Sequence, residues 1–537
     1  MIPNAGMAIL AVLLLGFPFA PTMARDIVDA SAPQDLAVTI YRDPGRGQFE
    51  DMNRNWPRGF AMISETRTIT LPQGESTIRF TGVAEGMVAV SAIVTGLPGG
   101  TIEKNRNADL LSPAALVDGT LGNRVRITRT NPATGEAVTE SAIVRTRADG
   151  GLVLQTEAGY EAVRCSGLPE RITFPAVPDG LSPQPVFTVD TRDPAGGTYT
   201  VQLTYLAWGF DWQAHYVAKL EKKRRGHDAE MQLVSWLTLL NDNGQSFENA
   251  ELMAVAGTLN VESDYEELSD PPEARPLRLT CYPLGSTAAG SPVAPPMLPP
   301  PPAPGLARDE SIMVTAQYRA AAEMAAPMEK MMAEEEQLGD LKLFRVPERV
   351  TVSAKGLKQI AFLDKDSVEG DIAYIAACSP WNETEFAEAG ILFRTENDER
   401  HGLGAALPMG GVTIFEPTSA GELLLAETNM RDHAEGQDVE IELGGSPQVR
   451  FSCARAADFD WNDDRRRWLP MRVTVTNAND RPARMRLSLG ASGEWNVRKA
   501  RGAYVKDGQR MAEFDVPAND SREFRWEIRS AYAPSDS

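Results

Sequence analysis

Hydrophobic and polar residues alternate with a period of two along most of the chain, as in β-strands that bury one face. Val201, Leu203 and Tyr205 share one face of a predicted strand, and apolar residues at 212, 214, 216 and 218 share a face of the next. In residues 233–240, Leu233, Leu237 and Leu239 lie opposite Val234, Trp236 and Leu240, so we expect that strand to be buried on both faces in the middle of a sheet.

Two further β regions are predicted in the first third of the chain. In residues 35–97, the segments TRTIT and STIRF flank Pro-Gln-Gly, which indicates a strand, a turn and a second strand. Residues 118–177 contain short, closely spaced strands with glycine in the turns, where a positive φ is needed. Strands this short and this close together favour a small barrel of the SH3 or OB type.

A proline-rich segment interrupts the β pattern. Residues 292–304 consist of PVAPPMLPPPPAP, which cannot enter a sheet because proline lacks the N–H donor. Residues 310–337 are rich in Ala, Met and Glu, which favours a helix divided at Pro327. The alternation resumes at residue 341, so we expect strands on the two sides of this insert to pair in one domain. Alternation over residues 471–528 predicts a terminal sandwich of immunoglobulin-like type.

These patterns together predict a mainly β, multi-domain protein whose central β-sandwich region is split by a Pro-rich and helical insert. The expected divisions are a signal peptide (1–24), an N-terminal β domain (25–103), a small SH3/OB-like β-barrel (104–190), the first part of the main β domain (191–288), a Pro-rich linker with a Met/Ala-rich helix (289–340), the second part of the main β domain (341–455) and a C-terminal β-sandwich (456–537).

The N-terminus resembles a secretory signal peptide. Residues 7–20 form an apolar run that is too short to span a bilayer comfortably, and Pro18 interrupts it. Thr22 and Ala24 place small residues at the −3 and −1 positions of a cleavage site, which predicts a mature start at Arg25. No Lys or Arg precedes the apolar run, so an uncleaved anchor is the alternative. We expect a periplasmic or secreted protein without a transmembrane span after cleavage.

The composition is that of a folded, acidic protein. Hydrophobic residues make up 42% and charged residues 24% of the 537 positions, which argues against extensive disorder. The formal net charge of −21 repels phosphate backbones, so we expect no nucleic-acid partner.

Four cysteines lie far apart, at Cys165, Cys281, Cys378 and Cys453. The chain has no C-x-x-C motif, so neither a redox motif nor a zinc site is indicated. In an exported protein we expect a disulfide among Cys281, Cys378 and Cys453, which lie in one half of the chain. Buried free thiols are the alternative.

Several segments resemble, in the same order, a bacterial domain of unknown function, family 4139, to which mucoidy-inhibitor-A-like proteins belong. YLAWGFDWQAHYVAKL (205–220) and NDNGQSFENAELMAVAG (241–257) resemble its core signature. QLGDLKLFRVPERVTV (337–352) is similar to the strand that follows its variable insert, and LGAALPMGGVTIF (403–415) is similar to a later block. The segment around Trp495 resembles the closing sandwich of the family.

The resemblance extends over residues 190–535 and, more weakly, over the strands at 35–97. It implies a split β domain without an established activity, and it supplies no catalytic residues. Many members of the family carry a long coiled coil ahead of this domain, whereas this chain has the predicted small barrel there. A role that depends on a coiled coil is therefore not implied.

The sequence contains none of the short motifs that mark common enzyme classes. None of its four histidines is spaced as in H-E-x-x-H, and it has no G-x-S-x-G elbow, phosphate-binding loop or dinucleotide fingerprint. We therefore predict no catalytic residues, no cofactor and no enzymatic activity. The predicted function is a non-catalytic binding or assembly module of the cell envelope, with an envelope protein or glycan as its partner. A hydrolase of envelope polysaccharide or peptide that uses paired carboxylates is the alternative.

One aromatic cluster suggests a ligand-binding platform. The cluster consists of Trp208, Asp211, Trp212, His215 and Tyr216. Aromatic rings stack on sugars, and a carboxylate can hold their hydroxyl groups. The rings also lie at strand spacing, so the alternative is that they fill the core of a sheet while Asp211 closes a turn.

A stripe of methionines in the insert suggests metal binding. The stripe consists of Met324, Met328, Met331 and Met332, at positions i, i+4, i+7 and i+8. On a helix these thioethers share one face, and thioethers suit copper(I), so copper handling is a further alternative function. An apolar docking stripe or a low-complexity insert is the other explanation.

Overall fold

A computed structural model describes residues 25–107, 110–150, 152–163, 170–178, 181–222, 226–257, 259–269, 278–279, 332–455 and 467–531. The predicted signal peptide, the proline-rich segment and most of the predicted helix of the insert lie outside these ranges. The protein is mainly β, with 63% strand and 4% helix arranged in several sheets, which confirms the predicted fold class.

The strands are, in chain order, β1 (Asp26–Asp29), β2 (Asp35–Tyr41), β3 (Gly59–Leu71), β4 (Gly74–Thr81), β5 (Met87–Thr95), β6 (Glu103–Asn107), β7 (Arg124–Thr130), β8 (Ala137–Val144), β9 (Asp149–Gly150), β10 (Val153–Thr156), β11 (Gly159–Ala162), β12 (Glu170–Thr173), β13 (Val186–Asp193), β14 (Gly197–Lys222), β15 (Asp228–Asn241), β16 (Phe247–Ala256), β17 (Arg278–Leu279), β18 (Glu334–Leu338), β19 (Leu341–Arg345), β20 (Val350–Val352), β21 (Gly356–Ala377), β22 (Thr384–Glu396), β23 (Gly410–Thr418), β24 (Gly421–Met430), β25 (Asp438–Arg455), β26 (Leu469–Asn477), β27 (Ala483–Ala491), β28 (Trp495–Arg498), β29 (Tyr504–Lys506), β30 (Gln509–Val516) and β31 (Asp520–Ser530). The helices are α1 (Pro113–Gly119) and α2 (Tyr265–Ser269), with a 3-10 turn at Glu399–His401. In the part of the chain that the structure describes, no helix has the length and apolar character needed to cross a membrane.

The N-terminal strands build a sandwich together with strands from later in the chain. β14 lies between β3 and β5, and β3 extends this sheet through β2 to β16. The facing sheet has the order β1-β4-β13-β6. β3 and β4 are the strands predicted on either side of the Pro-Gln-Gly turn, and they belong to opposite sheets. Ile63, Ile78 and Leu203 belong to the hydrophobic core that the two sheets share.

The two strands predicted on either side of residue 209 are one strand of 26 residues, β14. Gly209 has a φ of +88°, and the pairing with β3 shifts its register between Trp208 and Phe210. This bulge moves the buried positions from odd to even numbers, and for that reason the sequence pattern suggests two strands. Before the bulge β14 pairs with β3 and β5, and after it with β15 and β23.

The predicted small barrel is an open, curled sheet. Its antiparallel strands have the order β11-β10-β8-β7-β12, and among the described residues the edge strands β11 and β12 do not pair with each other. Arg129 on β7 forms an ion pair with Glu161 on β11, three strands away, a distance of about 14 Å in a flat sheet. The sheet therefore curls without closing, because edge strands of four residues leave little backbone for a closing pair.

Strands on the two sides of the insert pair with each other, which confirms the expected split domain. β15 pairs with β21 from Asp228↔Asp371 to Asn241↔Gly356, and β16 pairs with β19 and β20. The end of the predicted helix is wrong: residues 334–338 form strand β18, which pairs with β19. Backbone pairing with an existing sheet outweighs the weak local preference for a helix.

The C-terminal part is a sandwich of two sheets that includes strands from before residue 456. One sheet has the order β22-β25-β26-β31-β28, and the other has the order β21-β27-β30-β29. Phe514 of β30 stacks on Phe524 of β31 with ring centroids 5.1 Å apart, so the sheets pack face to face. Three strands before residue 456, namely β21, β22 and β25, thus complete this sandwich.

Candidate functional site

The structure buries most of the aromatic cluster that the sequence singles out. Trp208 is 9% exposed, and Trp212 and Tyr216 are fully buried. The indole N–H of Trp212 and the hydroxyl of Tyr216 donate to backbone carbonyl oxygens, at 3.2 and 2.6 Å. His215 is exposed and lies on the opposite face of β14. The three aromatic side chains therefore form part of the core, and together with His215 they do not present a common platform to a ligand.

Asp211 holds a loop against the sheet through a buried ion pair. Its Oδ2 atom accepts from Nη1 of Arg46 at 2.9 Å, and its Oδ1 atom accepts the backbone N–H of Asp43 at 3.0 Å. Burial raises the pKa of Asp211, and the charge of Arg46 partly offsets that rise. The role of Asp211 is thus to anchor the segment around Asp43 and Arg46 to β14.

The methionine stripe is not helical at the one position that the structure describes. Met324, Met328 and Met331 lie outside the described residues. Met332 forms a parallel β-bridge with Ala361, so its backbone is extended. Met332 therefore does not lie on the helical face on which the copper hypothesis depends.

The candidate site lies where strands β21 and β22 separate. They pair from Asp371↔Arg394 to Ile375↔Gly390. β21 also pairs with β27 from Tyr374 to Ala377, and β22 pairs with β25 from Thr384 to Glu396. Beyond Ile375 and Gly390 the two strands therefore belong to different sheets of the C-terminal sandwich. A cavity of about 670 Å³ opens between them, and we call it the fork cleft.

A disulfide joins the two sheets beside the fork cleft. Cys378, which directly follows β21, is bonded to Cys453 of β25, with Cα atoms 5.7 Å apart. Ala377 and Phe451, close to these cysteines in sequence, line the cleft. Cys165 and Cys281 lie outside the described residues.

A second cavity of about 510 Å³, the charged cleft, adjoins the fork cleft and shares three lining residues with it. The shared residues are Asp438, Glu440 and Arg486. The other ionisable side chains of this cavity are Asp228, Glu369, Asp371, Arg394, Glu396 and His401. Six carboxylates thus face two arginines, which gives the cavity an excess of negative charge.

A network of ion pairs connects five strands around the two clefts. Arg394 on β22 donates to Asp371 on β21 at 2.8 and 3.0 Å and to Glu513 on β30 at 2.7 Å. Arg486 on β27 donates to Glu513 at 2.9 Å and to Glu440 on β25 at 2.6 Å. The network fixes the spacing of the strands that form the cleft walls.

The ion pairs keep two carboxylates of this network, Glu440 and Glu513, ionised. Burial acts to raise the pKa of Glu513, but hydrogen bonds from Arg394 and two further donors outweigh it and lower the pKa to about 2. Burial acts in the same way on Glu440, where hydrogen bonds led by Arg486 lower the pKa. At neutral pH these groups carry charge and have no proton to donate.

One cluster beside the charged cleft has the side chains of a metal site. Glu396, Asp398 and His401 place ligand atoms within 4.8 Å of one another. Asp398 already accepts hydrogen bonds from the backbone N–H and ring Nδ1 of His401 and from Arg400, and it caps the 3-10 turn. Burial acts to raise the pKa of Asp398, but these hydrogen bonds lower it to about 2. Capping accounts for this geometry without a metal ion.

The sequence contains one signal for the network. Arg484 and Arg486 alternate with apolar residues on β27, and Glu513 and Asp515 do the same on the paired strand β30, with Arg486 opposite Glu513. Opposite charges on two alternating segments favour cross-strand pairs. The partners on β21, β22 and β25 lie far away in sequence and carry no such signal.

The chain matches no protein-family model and no curated protein. Membership in family 4139 therefore stays a prediction that rests on the segments quoted above.

Proposed function

We propose that the protein is a non-catalytic binding or assembly module of the cell envelope and that the fork cleft is its binding site. The observation that carries this proposal is the cleft itself, which lies between two sheets that are joined by the disulfide on one side and by the ion-pair network on the other. A preformed cavity of about 670 Å³ with mixed polar and apolar walls has the size and lining of a ligand site.

The protonation states of the cleft residues support binding rather than hydrolysis. A hydrolase with paired carboxylates needs one carboxyl group that stays protonated as the general acid. In Asp438 a hydrogen bond from Lys506 lowers the pKa, and in Glu440 hydrogen bonds led by Arg486 outweigh burial and lower the pKa. Within the described residues, burial raises the pKa of the carboxyl groups of Glu65 and Asp211, and both pair with arginines and line neither cleft.

The cell envelope and the family are part of the same proposal. The apolar run at residues 7–20, followed by small residues at the expected cleavage site, supports export. The segments that resemble family 4139 occur in the same order as in the family, and this order supports membership in it. The pairing of strands across the insert supports membership as well. We further infer that the terminal sandwich is of immunoglobulin-like type, which its two facing sheets support, antiparallel except for the parallel pair of β21 and β27.

In-cell photo-crosslinking tests the proposed site. Ala377 is exposed and lines the fork cleft, so a benzophenone amino acid placed there would lie against a bound partner. Glu248 is exposed on β16 and provides the matched control position. We expect one dominant adduct from position 377 and none from position 248. We also expect that the purified partner does not bind the Ala377→Trp variant. Identical adducts at both positions, or none at either, would contradict the proposal.

A further inference from the structure

The fork cleft combines an apolar wall with a charged rim. Ile375, Leu392, Phe451 and Met511 contribute aliphatic and aromatic surface from four different strands. The charged side chains that line the cleft are Glu388, Arg431, Asp438, Glu440, Glu442, Arg486, Lys506 and Asp507. A ligand that fills this space needs both an apolar portion and a charged or hydrogen-bonding end.

The charges of the rim do not cancel. Five carboxylates face three cations, and Asp438 and Glu440 are engaged by Lys506 and Arg486. Glu442 and Asp507 have no ion pair within the described ranges, and Glu388 is 3.7 Å from Arg450 with both side chains about half exposed. With Arg431 counted against these three carboxylates, the cleft retains a net charge of −2.

His433 provides a second, independent feature of the same cavity. It lines the fork cleft and is only 4% exposed. Its ring is hydrogen-bonded to the backbone of Asp438, whereas its Nδ1 atom has no hydrogen-bond partner among the described residues. A buried ring nitrogen without a partner is costly, and a ligand that donates an N–H group would relieve that cost.

We propose that the fork cleft binds the ammonium or guanidinium end of an aliphatic side chain, as in a lysine- or arginine-bearing peptide segment. This inference rests on the proposed function and names the chemistry of its partner. The alkyl part of such a side chain lies along Ile375, Leu392 and Met511 while the cationic end meets the carboxylates of the rim. The N–H groups of the cation supply the donors that His433 lacks.

Calorimetric titration of the full chain with defined probes tests this inference. The probes are the capped peptide Gly-Lys-Gly-Lys-Gly, its counterpart with glutamate at both lysine positions, and spermidine. We expect the lysine peptide to bind and the glutamate peptide not to bind. Binding of spermidine as tight as that of the peptide would identify a free amine as the source of the cation, whereas weaker binding would identify a peptide.

Charge-neutralising variants locate the interaction. Glu388→Gln with Glu442→Gln removes two rim carboxylates that have weak ion pairs or none, so the fold should be preserved, and we expect affinity to fall about 10-fold. Glu248→Gln removes one carboxylate outside the cleft and should leave affinity unchanged. Equal affinities for the double variant and the wild type would overturn the inference.

The ring nitrogen of His433 gives a spectroscopic readout. In protein with ¹⁵N-labelled histidine, we expect the Nδ1 resonance of His433, assigned with His433→Gln, to shift when the lysine peptide binds. An unshifted resonance in the bound state would contradict the role of His433. If Ala377→Trp abolishes partner capture in cells but no cationic probe binds the wild type, the inference about the ligand fails and the proposed binding site stands.

Discussion

Cys378 and Cys453 link the two sheets of the C-terminal sandwich through a disulfide that closes a loop of 75 residues. One cysteine directly follows β21 and the other lies in β25, so the bond ties β21 to the strand that pairs with β22. The disulfide and the Arg394–Glu513 ion pair lie on different sides of the same opening. Together they explain how a cavity of this size persists between two sheets that elsewhere pack closely.

Removal of the disulfide should destabilise the sandwich. Cys378→Ser with Cys453→Ser releases a loop of 75 residues in the unfolded chain, which corresponds to about 4 kcal/mol by the chain-entropy relation. We expect a lower urea midpoint by tryptophan fluorescence for the double variant under oxidising conditions. An unchanged midpoint would mean that the bond contributes nothing to the stability of the sandwich.

The stabilising contribution of Glu513 should be lost in acid. Its pKa is lowered from 4.5 to about 2 in the folded state, so its contribution is present above pH 4.5 and is lost as the pH falls toward 2. Glu513→Gln leaves Arg394 and Arg486 with a neutral acceptor, and we expect a loss of about 2 kcal/mol at pH 7. The difference between wild type and variant should shrink in urea titrations between pH 5 and pH 3, and a difference that does not depend on pH would contradict this account.

Substitution of Gly209 should strain the bulge of β14. Its φ of +88° is unfavourable for a residue with a side chain, and a Cβ atom there would lie 3.1 Å from Nδ2 of Asn243. We expect Gly209→Ala to cost about 1–2 kcal/mol in the free energy of unfolding. Gly493→Ala is the control, because a Cβ atom there meets no neighbour within 4 Å. Equal stabilities of the two variants would show that the bulge tolerates a side chain.

The buried pair of Arg46 and Asp211 should show strong coupling. Arg46→Met leaves an uncompensated buried carboxylate and should cost about 3–5 kcal/mol. Arg46→Met combined with Asp211→Asn removes both charges while the amide oxygen can still accept the N–H of Asp43, so we expect it to be more stable than the single variant. A double-mutant cycle by chemical denaturation measures this coupling, and additive losses would rule it out.

Strand character was predictable because a period of two is a local property of the chain. The pattern at Val201, Leu203 and Tyr205 gives the buried face of β14 correctly, and the pairing across the insert follows from the resumption of alternation at residue 341. The bulge at Gly209 was missed. It moves the buried positions from odd to even residue numbers, and two separate strands would give the same sequence pattern. The strand at residues 334–338 was missed because its helix-favouring residues are overruled by pairing with β19.

The candidate site was not predictable from the sequence. The aromatic cluster around Trp212 attracts notice because tryptophan is rare, yet its rings are needed to fill the core. Arg394, Glu440 and Glu513 lie in separate strands without any motif, and only the pairing of those strands brings them together.

The sequence by itself determined that the described chain is mainly β, which face of strands such as β14 is apolar and that the net charge is negative. These properties depend on neighbouring residues and on composition. Only the tertiary structure decided that β21 and β22 diverge into opposite sheets, that a cavity opens between them and that its rim carries excess negative charge. Those features arise from backbone pairing between residues that are distant in sequence, and the free energy of such pairing depends on the whole sheet rather than on any one segment.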